Sequence, residues 1–242
     1  MEWQGSAVVL GARHFGEGKL VAEVFAREHG RFGGVVHAGR KSQPILQAGN
    51  IVHVGWKARL SEQLGFYNPL ELVEPHATRL LDDPIALAGL SSAVTLIRGA
   101  TPERQAYPQL YDALIVLIEA MPHTDIWPAI YTRFELGLLA SLGYGLDLSR
   151  CAVTGETEGL AWVSPRTGRA ATFEAGAPHA DVLLRLPHFL IDADAQLKSG
   201  DVADAFALSG YFLERRVFEQ KGEGLPEARR RLIERLGFAG RL

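Results

Sequence analysis

The chain has 242 residues, 47% of them apolar, which is enough for one large or two modest cores and is neither a fibrous nor a disordered composition. Lysine and arginine total 25 against 28 aspartates and glutamates, a formal net charge of -3. That excludes a polycation holding nucleic acid by its overall field, so any such binding needs a local patch. The single cysteine excludes an intramolecular disulfide, and no basic leader or run of about 18 apolar residues occurs, so a soluble cytoplasmic protein is expected.

Five short apolar runs open the chain: residues 5–11, 19–27, 31–38, 50–60 and 66–74. Gly-rich or polar stretches separate them, and five closely spaced strands with turn signals predict a small barrel, with the five-stranded OB-fold as the natural candidate. The pattern changes near residues 75–83. Asp83 before Pro84 is a strong helix start, because Asp caps free N–H groups and Pro suits the first helical position. Helical periodicity follows at 84–98, 103–120 and 125–142; in the last, Ile130, Phe134, Leu138 and Leu142 form one apolar stripe with Leu139 beside it. Residues 150–186 carry Gly and Pro punctuation and short β-like pieces, which predicts a compact hairpin insert held by Leu160, Trp162, Val163 and Phe173. Helices return at about 201–219 and 226–237. The expected organisation is therefore α+β: an N-terminal OB-fold barrel over 1–78, then a mainly helical domain over 79–242 with a β insert at 150–186.

No catalytic constellation assembles. The stretch GARHFGEGK (11–19) has the glycine spacing of a phosphate loop, but Glu17 stands where lysine is required and would repel phosphates, so a β-turn is the better reading. Cys151, in CAVTG, sits where a Cys-x-x-Cys-Gly zinc knuckle would place a ligand, yet the second position is Thr154. A structural zinc site wants four ligands. His179 and His188 form no knuckle with Cys151, so no metal and no cofactor is expected, and Cys151 reads as a small buried hydrophobe. A nucleophilic Cys151 with a spatially adjacent histidine is the enzymatic alternative.

Alternation in IVHVGWKARL places Val52, Val54, Trp56, Ala58 and Leu60 on one strand face. Ile51, His53, Gly55, Lys57 and Arg59 fall on the other, where a glycine would let a ligand approach. Arg40 and Lys41 follow the third strand. No acidic residue lies between Glu28 and Glu62, so these cations are unopposed in sequence. The pattern fits equally an ordinary solvated face and a phosphate-binding groove. Phe66 and Tyr67 are adjacent, so one of them faces outward on a regular strand. Arg229, Arg230, Arg231 and Arg235 read as the solvated side of a helix whose buried side is Leu232, Ile233 and Leu236.

The stretches RFELGLLASLGYGLDLSRCAVTG (133–155), WVSPRTGRA (162–170), LSGYFLERRV (208–217) and the opening segment 5–41 resemble the RecO family of bacterial recombination mediators, nearly end to end. The resemblance implies an N-terminal OB domain, a helical domain and a zinc-ribbon-like insert, here with only Cys151 left of its zinc ligands. It implies binding of single- and double-stranded DNA, annealing of complementary strands, and a partnership with RecR. It also implies loading of RecA onto strands coated by single-stranded-DNA-binding protein, whose acidic tail the family contacts, with no membrane association and nucleoid association when acting. On the family pattern Arg40 and Lys41 contact DNA and Arg133 helps receive the acidic tail, and the strand alternation adds Lys57 and Arg59 as candidate phosphate contacts. The competing expectation is a protein-interaction scaffold in a RecR-containing complex with little DNA affinity of its own.

Overall fold

A computed structural model describes residues 1–39, 42–60 and 63–242. Strand β1 (Glu2–His14) is the longest, and Ala7 and Val9 point into a common core while Val8 and Leu10 are equally buried on its other side. It turns at Phe15–Gly18, where Gly16 and Gly18 adopt φ of 67° and 65° and the Phe15 N–H donates to the Lys19 carbonyl. That is the β-turn expected for GARHFGEGK. β2 (Lys19–Ala26) and β3 (Gly30–His37) then pair along their whole length, from Lys19 opposite His37 to Ala26 opposite Gly30.

A short helix α1 (Ser42–Ile45) leads to β4 (Ile51–Lys57), which crosses back to pair with the first half of β1, Trp3 opposite Trp56. β5 (Gly65–Glu74) pairs antiparallel with β4 and closes parallel on β3 at Gly34–Gly65 and Val35–Phe66. The order β1-β2-β3-β5-β4 is a closed barrel with OB-fold connectivity, as the sequence predicts. Its interior holds Val24, Val52, Val54, Trp56 and Tyr67; each buried apolar side chain of this size contributes about 1.5–3 kcal/mol. The two polar atoms buried with them are satisfied: Trp56 Nε1 donates to the Gly33 carbonyl at 3.0 Å and Tyr67 Oη to the Phe32 carbonyl at 2.8 Å.

After the one-turn helix α2 (His76–Arg79), Asp83 caps α3 (Pro84–Ala100) through the N–H groups of Ile85 and Ala86, both at 2.9 Å. α4 (Pro108–Ala120) begins later than the expected residue 103. The delay has a local cause: Arg104 is left-handed (φ 62°), and Glu103 bridges to Arg31 instead of starting a helix. Chain contacts divide the protein into two compact units, Met1–Thr124 and Asp125–Leu242.

The second unit begins with α5 (Trp127–Ser141). Its insert is a three-stranded sheet of β6 (Leu160–Val163), β7 (Ala170–Thr172) and β8 (Leu184–Arg185), with α6 (Phe173–Gly176) between the last two strands. Leu160, Trp162 and Val163 are buried as expected. Phe173 is half exposed and instead stacks on Trp162, while Arg185 covers the same indole at 4.4 Å. α7 (Asp201–Leu213) runs into a π-turn at Glu214–Phe218, and α8 (Glu227–Phe238) ends the fold.

Candidate nucleic-acid interface

The adjacent pair on β5 divides as strand geometry requires. Tyr67 enters the core, and Phe66 faces out at 54% exposure. Phe66 borders two open depressions. One, of about 610 Å³, includes Trp3, Gly55, Trp56, Lys57 and Asn68; the other, of about 480 Å³, includes Val35, His37, Ile45 and Leu70. An exposed aromatic ring flanked by shallow concavities on an OB barrel is a platform on which a base can stack.

Lys57 closes β4 and is strongly exposed; its Nζ lies 3.1 Å from Glu2 Oε2, itself strongly exposed. Pairs so wet are worth about 0–1 kcal/mol, so Glu2 holds Lys57 only weakly. Arg59 is exposed just past the strand and makes no ion pair among the described residues. Arg40 and Lys41 lie outside the described residues. Their neighbours are tightly wired: Ser42 Oγ accepts from the Gly39 N–H and donates to the His37 carbonyl.

Two expectations for this face are corrected. Gly55 is not an opening for a ligand. A Cβ there would lie 2.7 Å from the Asn68 carbonyl oxygen and 2.8 Å from Pro69 Cδ, so the glycine admits β5. Leu60 is 55% exposed instead of core, because β4 ends at Lys57 and the chain bends away.

Sequence reasoning missed Trp3, since the strand was expected to begin at residue 5. Trp3 extends the inward alternation of Ala7 and Val9 to the barrel rim. It stacks on His29 (4.3 Å between centroids) and meets Phe32 edge-on at 5.1 Å, continuing to Trp56. Burial lowers the His29 pKa despite the opposing charge of Glu28, so the stacked imidazole is held neutral.

In the second unit, Arg133 is exposed and donates to the carbonyls of Phe189 and Asp192. Glu135, two residues on, is fully buried and forms a two-pronged ion pair with Arg229, Oε1 at 2.6 Å from Nε and Oε2 at 2.9 Å from Nη2. Ser209 donates to the same carboxylate at 2.5 Å, and the Phe206 carbonyl takes another Arg229 N–H at 2.8 Å. Arg229 is thus not on the solvated side of its helix, as expected from sequence. Burial opposes its charge, but Glu135 outweighs it and raises its pKa. Arg230 and Arg231 are exposed and pair with Glu227.

Cys151 is buried, and its sulfur accepts the N–H groups of Thr154 and Thr172, each at 3.4 Å. Burial pushes the thiol pKa up, but hydrogen bonds from Thr154, Thr172 and Val153 prevail and lower it to about 6. The knuckle turn therefore persists with backbone donors around the sulfur where a metal would need further ligands. No cluster of three His, Cys, Asp or Glu side chains able to hold a metal occurs among the described residues, so the insert does not fit zinc. No helix among them is long and apolar enough to cross a membrane.

Comparison with known proteins finds one family over most of the chain. Residues 1–76 match the family model described as recombination protein O N terminal, and residues 81–223 match recombination protein O C terminal. The chain is 45% identical over 239 residues to the DNA repair protein RecO of Hyphomonas neptunium, covering 98% of each chain. It is 48% identical over 244 residues to that of Phenylobacterium zucineum, covering 100% of both. With an OB barrel, a helical unit and end-to-end relatives that are DNA repair proteins RecO, the chain belongs to the RecO family of DNA repair proteins.

Proposed function

We propose that the protein is a non-catalytic DNA-binding mediator of recombination. Phe66 carries the reading: a half-exposed aromatic ring on the barrel surface, beside Lys57 and at the foot of the acid-free stretch from residue 29 to 61. Bases stack on Phe66 while Arg40, Lys41, Lys57 and Arg59 neutralise phosphates, a mode that tolerates any sequence and suits annealing of complementary strands. The division of labour gives the barrel (1–78) to DNA and the rest (79–242, with its insert at 150–186) to partners. Those partners are RecR and the acidic tail of single-stranded-DNA-binding protein, and the outcome is loading of RecA on the strand, in the cytoplasm at the nucleoid. Arg133 uses one nitrogen on two carbonyls, and its other donors would take a tail carboxylate.

The test is fluorescence anisotropy of a labelled single strand across a salt series. Charge reversal at Lys41 and Lys57 weakens binding and flattens the salt slope, and Phe66→Ala weakens binding with the slope unchanged. Wild-type affinity in both variants would reject the reading. The Lys57–Glu2 pair and the net charge of -3 favour the second reading, a scaffold with little DNA affinity alone. Under that reading the strand binds only after RecR is added.

A further inference from the structure

A cleft of about 590 Å³ in the first unit shares no lining residue with the depressions beside Phe66. Four arginines line it, Arg13, Arg31, Arg98 and Arg104, and its carboxylates are Glu23 and Glu103. Among the described residues, four cations face two anions, which leaves two positive charges in a concave space.

Arg31, Arg98 and Arg104 are held in place. Glu23 Oε1 accepts from Arg31 Nη1 at 2.5 Å and Oε2 from Arg98 Nε at 2.8 Å. One carboxylate thereby orients two guanidinium groups, and each gives it one of five donors. Arg31 and Glu23 are largely shielded from water, and Arg31 Nε is buried with no hydrogen-bond partner among the described residues. Arg104 occupies a backbone conformation that side-chain-bearing residues avoid (φ 62°). Its N–H donates to the Arg31 carbonyl at 2.8 Å and its Nη2 to the Gln63 carbonyl at 3.1 Å. The Arg104–Gln105 segment approaches β3 so closely that a Cβ on Gly30 would sit 1.8 Å from the Gln105 oxygen. Strain held so firmly at a charged cleft is characteristic of binding sites.

The Arg104 guanidinium lies over Phe32 and Trp56, at 5.5 and 5.9 Å from their ring centroids. Trp56 also lines the depression beside Phe66. Trp56 itself is buried, so the surface link runs through Leu64 and Gly33, which line the cleft and lie two residues before Phe66 and Val35 of the stacking face. That continuity, with the fit of guanidinium forks to phosphate oxygens, selects among anions. We infer that the arginine cleft binds phosphate groups of a nucleic-acid strand, so that the strand runs past Phe66 into a second, preorganised contact. The inference rests on the DNA-binding reading above and adds residues to it.

The experiment uses the full chain with Arg13→Ala, Arg98→Ala, the double variant and Arg98→Lys, and Phe66→Ala as comparator. Arg13 makes no ion pair among the described residues, so its loss leaves the Glu23 pairs intact. A labelled oligothymidine strand is titrated across a salt series. The double variant is expected to bind about tenfold more weakly near ~0.1 M salt, with a log–log salt slope shallower by about 1.4 for two lost single-strand phosphates. Arg98→Lys keeps the charge and so the wild-type salt slope, while losing the fork geometry weakens binding by less than Arg98→Ala does. If the arginine variants bind with wild-type affinity and slope while Phe66→Ala weakens binding, the cleft inference fails and the stacking reading stands. If neither set changes binding, both fail. If a poly-glutamate peptide binds through these arginines and the strand does not compete, the cleft serves a protein partner and the inference is overturned.

Discussion

Replacing Glu135 with Gln keeps the volume of the side chain but strands the Arg229 guanidinium in an interior where almost none of it is exposed. The wild-type charge is balanced by one carboxylate with contacts of 2.6 and 2.9 Å. Removing one member of such a buried pair costs about 3–5 kcal/mol, because the survivor pays desolvation without return. Arg229→Met leaves Glu135, among the described residues, only the Ser209 hydroxyl and should cost a similar amount. Glu135→Leu combined with Arg229→Met removes both desolvation costs and should lose far less than the sum of the two single changes. With a urea dependence of about 2 kcal/mol per M, the single variants shift the midpoint of the second unit's transition by about 2 M. Urea unfolding followed by far-ultraviolet circular dichroism and by tryptophan fluorescence reads these shifts. Single variants costing under about 1 kcal/mol, or a double variant as damaged as the sum, would refute the claim that the charges stand or fall together.

Gly30→Ala should unfold or strongly destabilise the first unit in a thermal melt, since its Cβ would fall 1.8 Å from a carbonyl oxygen at φ 72°. Stability should decline as pH falls below about 6.5, the ordinary imidazole value. Burial lowers the pKa of His76, with Glu74 opposing, so the unfolded chain takes up a proton that the native chain refuses. The contribution is complete above the unfolded value and is lost as pH falls toward the native one; His76→Asn should flatten the decline in melts recorded between pH 5 and 8. Incubation with a strong chelator should leave the melting temperature unchanged, because Cys151 has no companion metal ligands among the described residues; a chelator-induced drop would show that the insert holds a metal.

The barrel was legible because each of its strands states its own faces. Val52, Val54 and Trp56 alternate, and the neighbouring Phe66 and Tyr67 must point opposite ways; the local pattern and the tertiary outcome agree. The insert and the cap at Asp83 were legible for the same local reason. Arg229 was not. It sits in a run of three arginines that reads as a wet helix face, and its partner lies 94 positions earlier. The motif stretches used for recognition do contain the answer: Glu135 lies in the first, and Ser209 and Gly210 in another. A Cβ on Gly210 would come within 2.8 Å of Arg229, so that glycine makes room for the guanidinium. Nothing in a one-dimensional pattern pairs these residues. The late start of α4 was hidden likewise, since a helix was expected from residue 103 and the competing link from Glu103 to Arg31 is tertiary.

The barrel is shut by its shortest seam. β3 and β5 meet at only two ladder positions, and Phe66 occupies one of them. Breathing of the cylinder should therefore concentrate where a guest ring would rest, and amide exchange there should be the fastest of the barrel's strand pairings. A molecule bound on Phe66 would then act as a latch: occupancy would tighten the hoop, and a loosened hoop would shed its guest, one equilibrium felt from both ends.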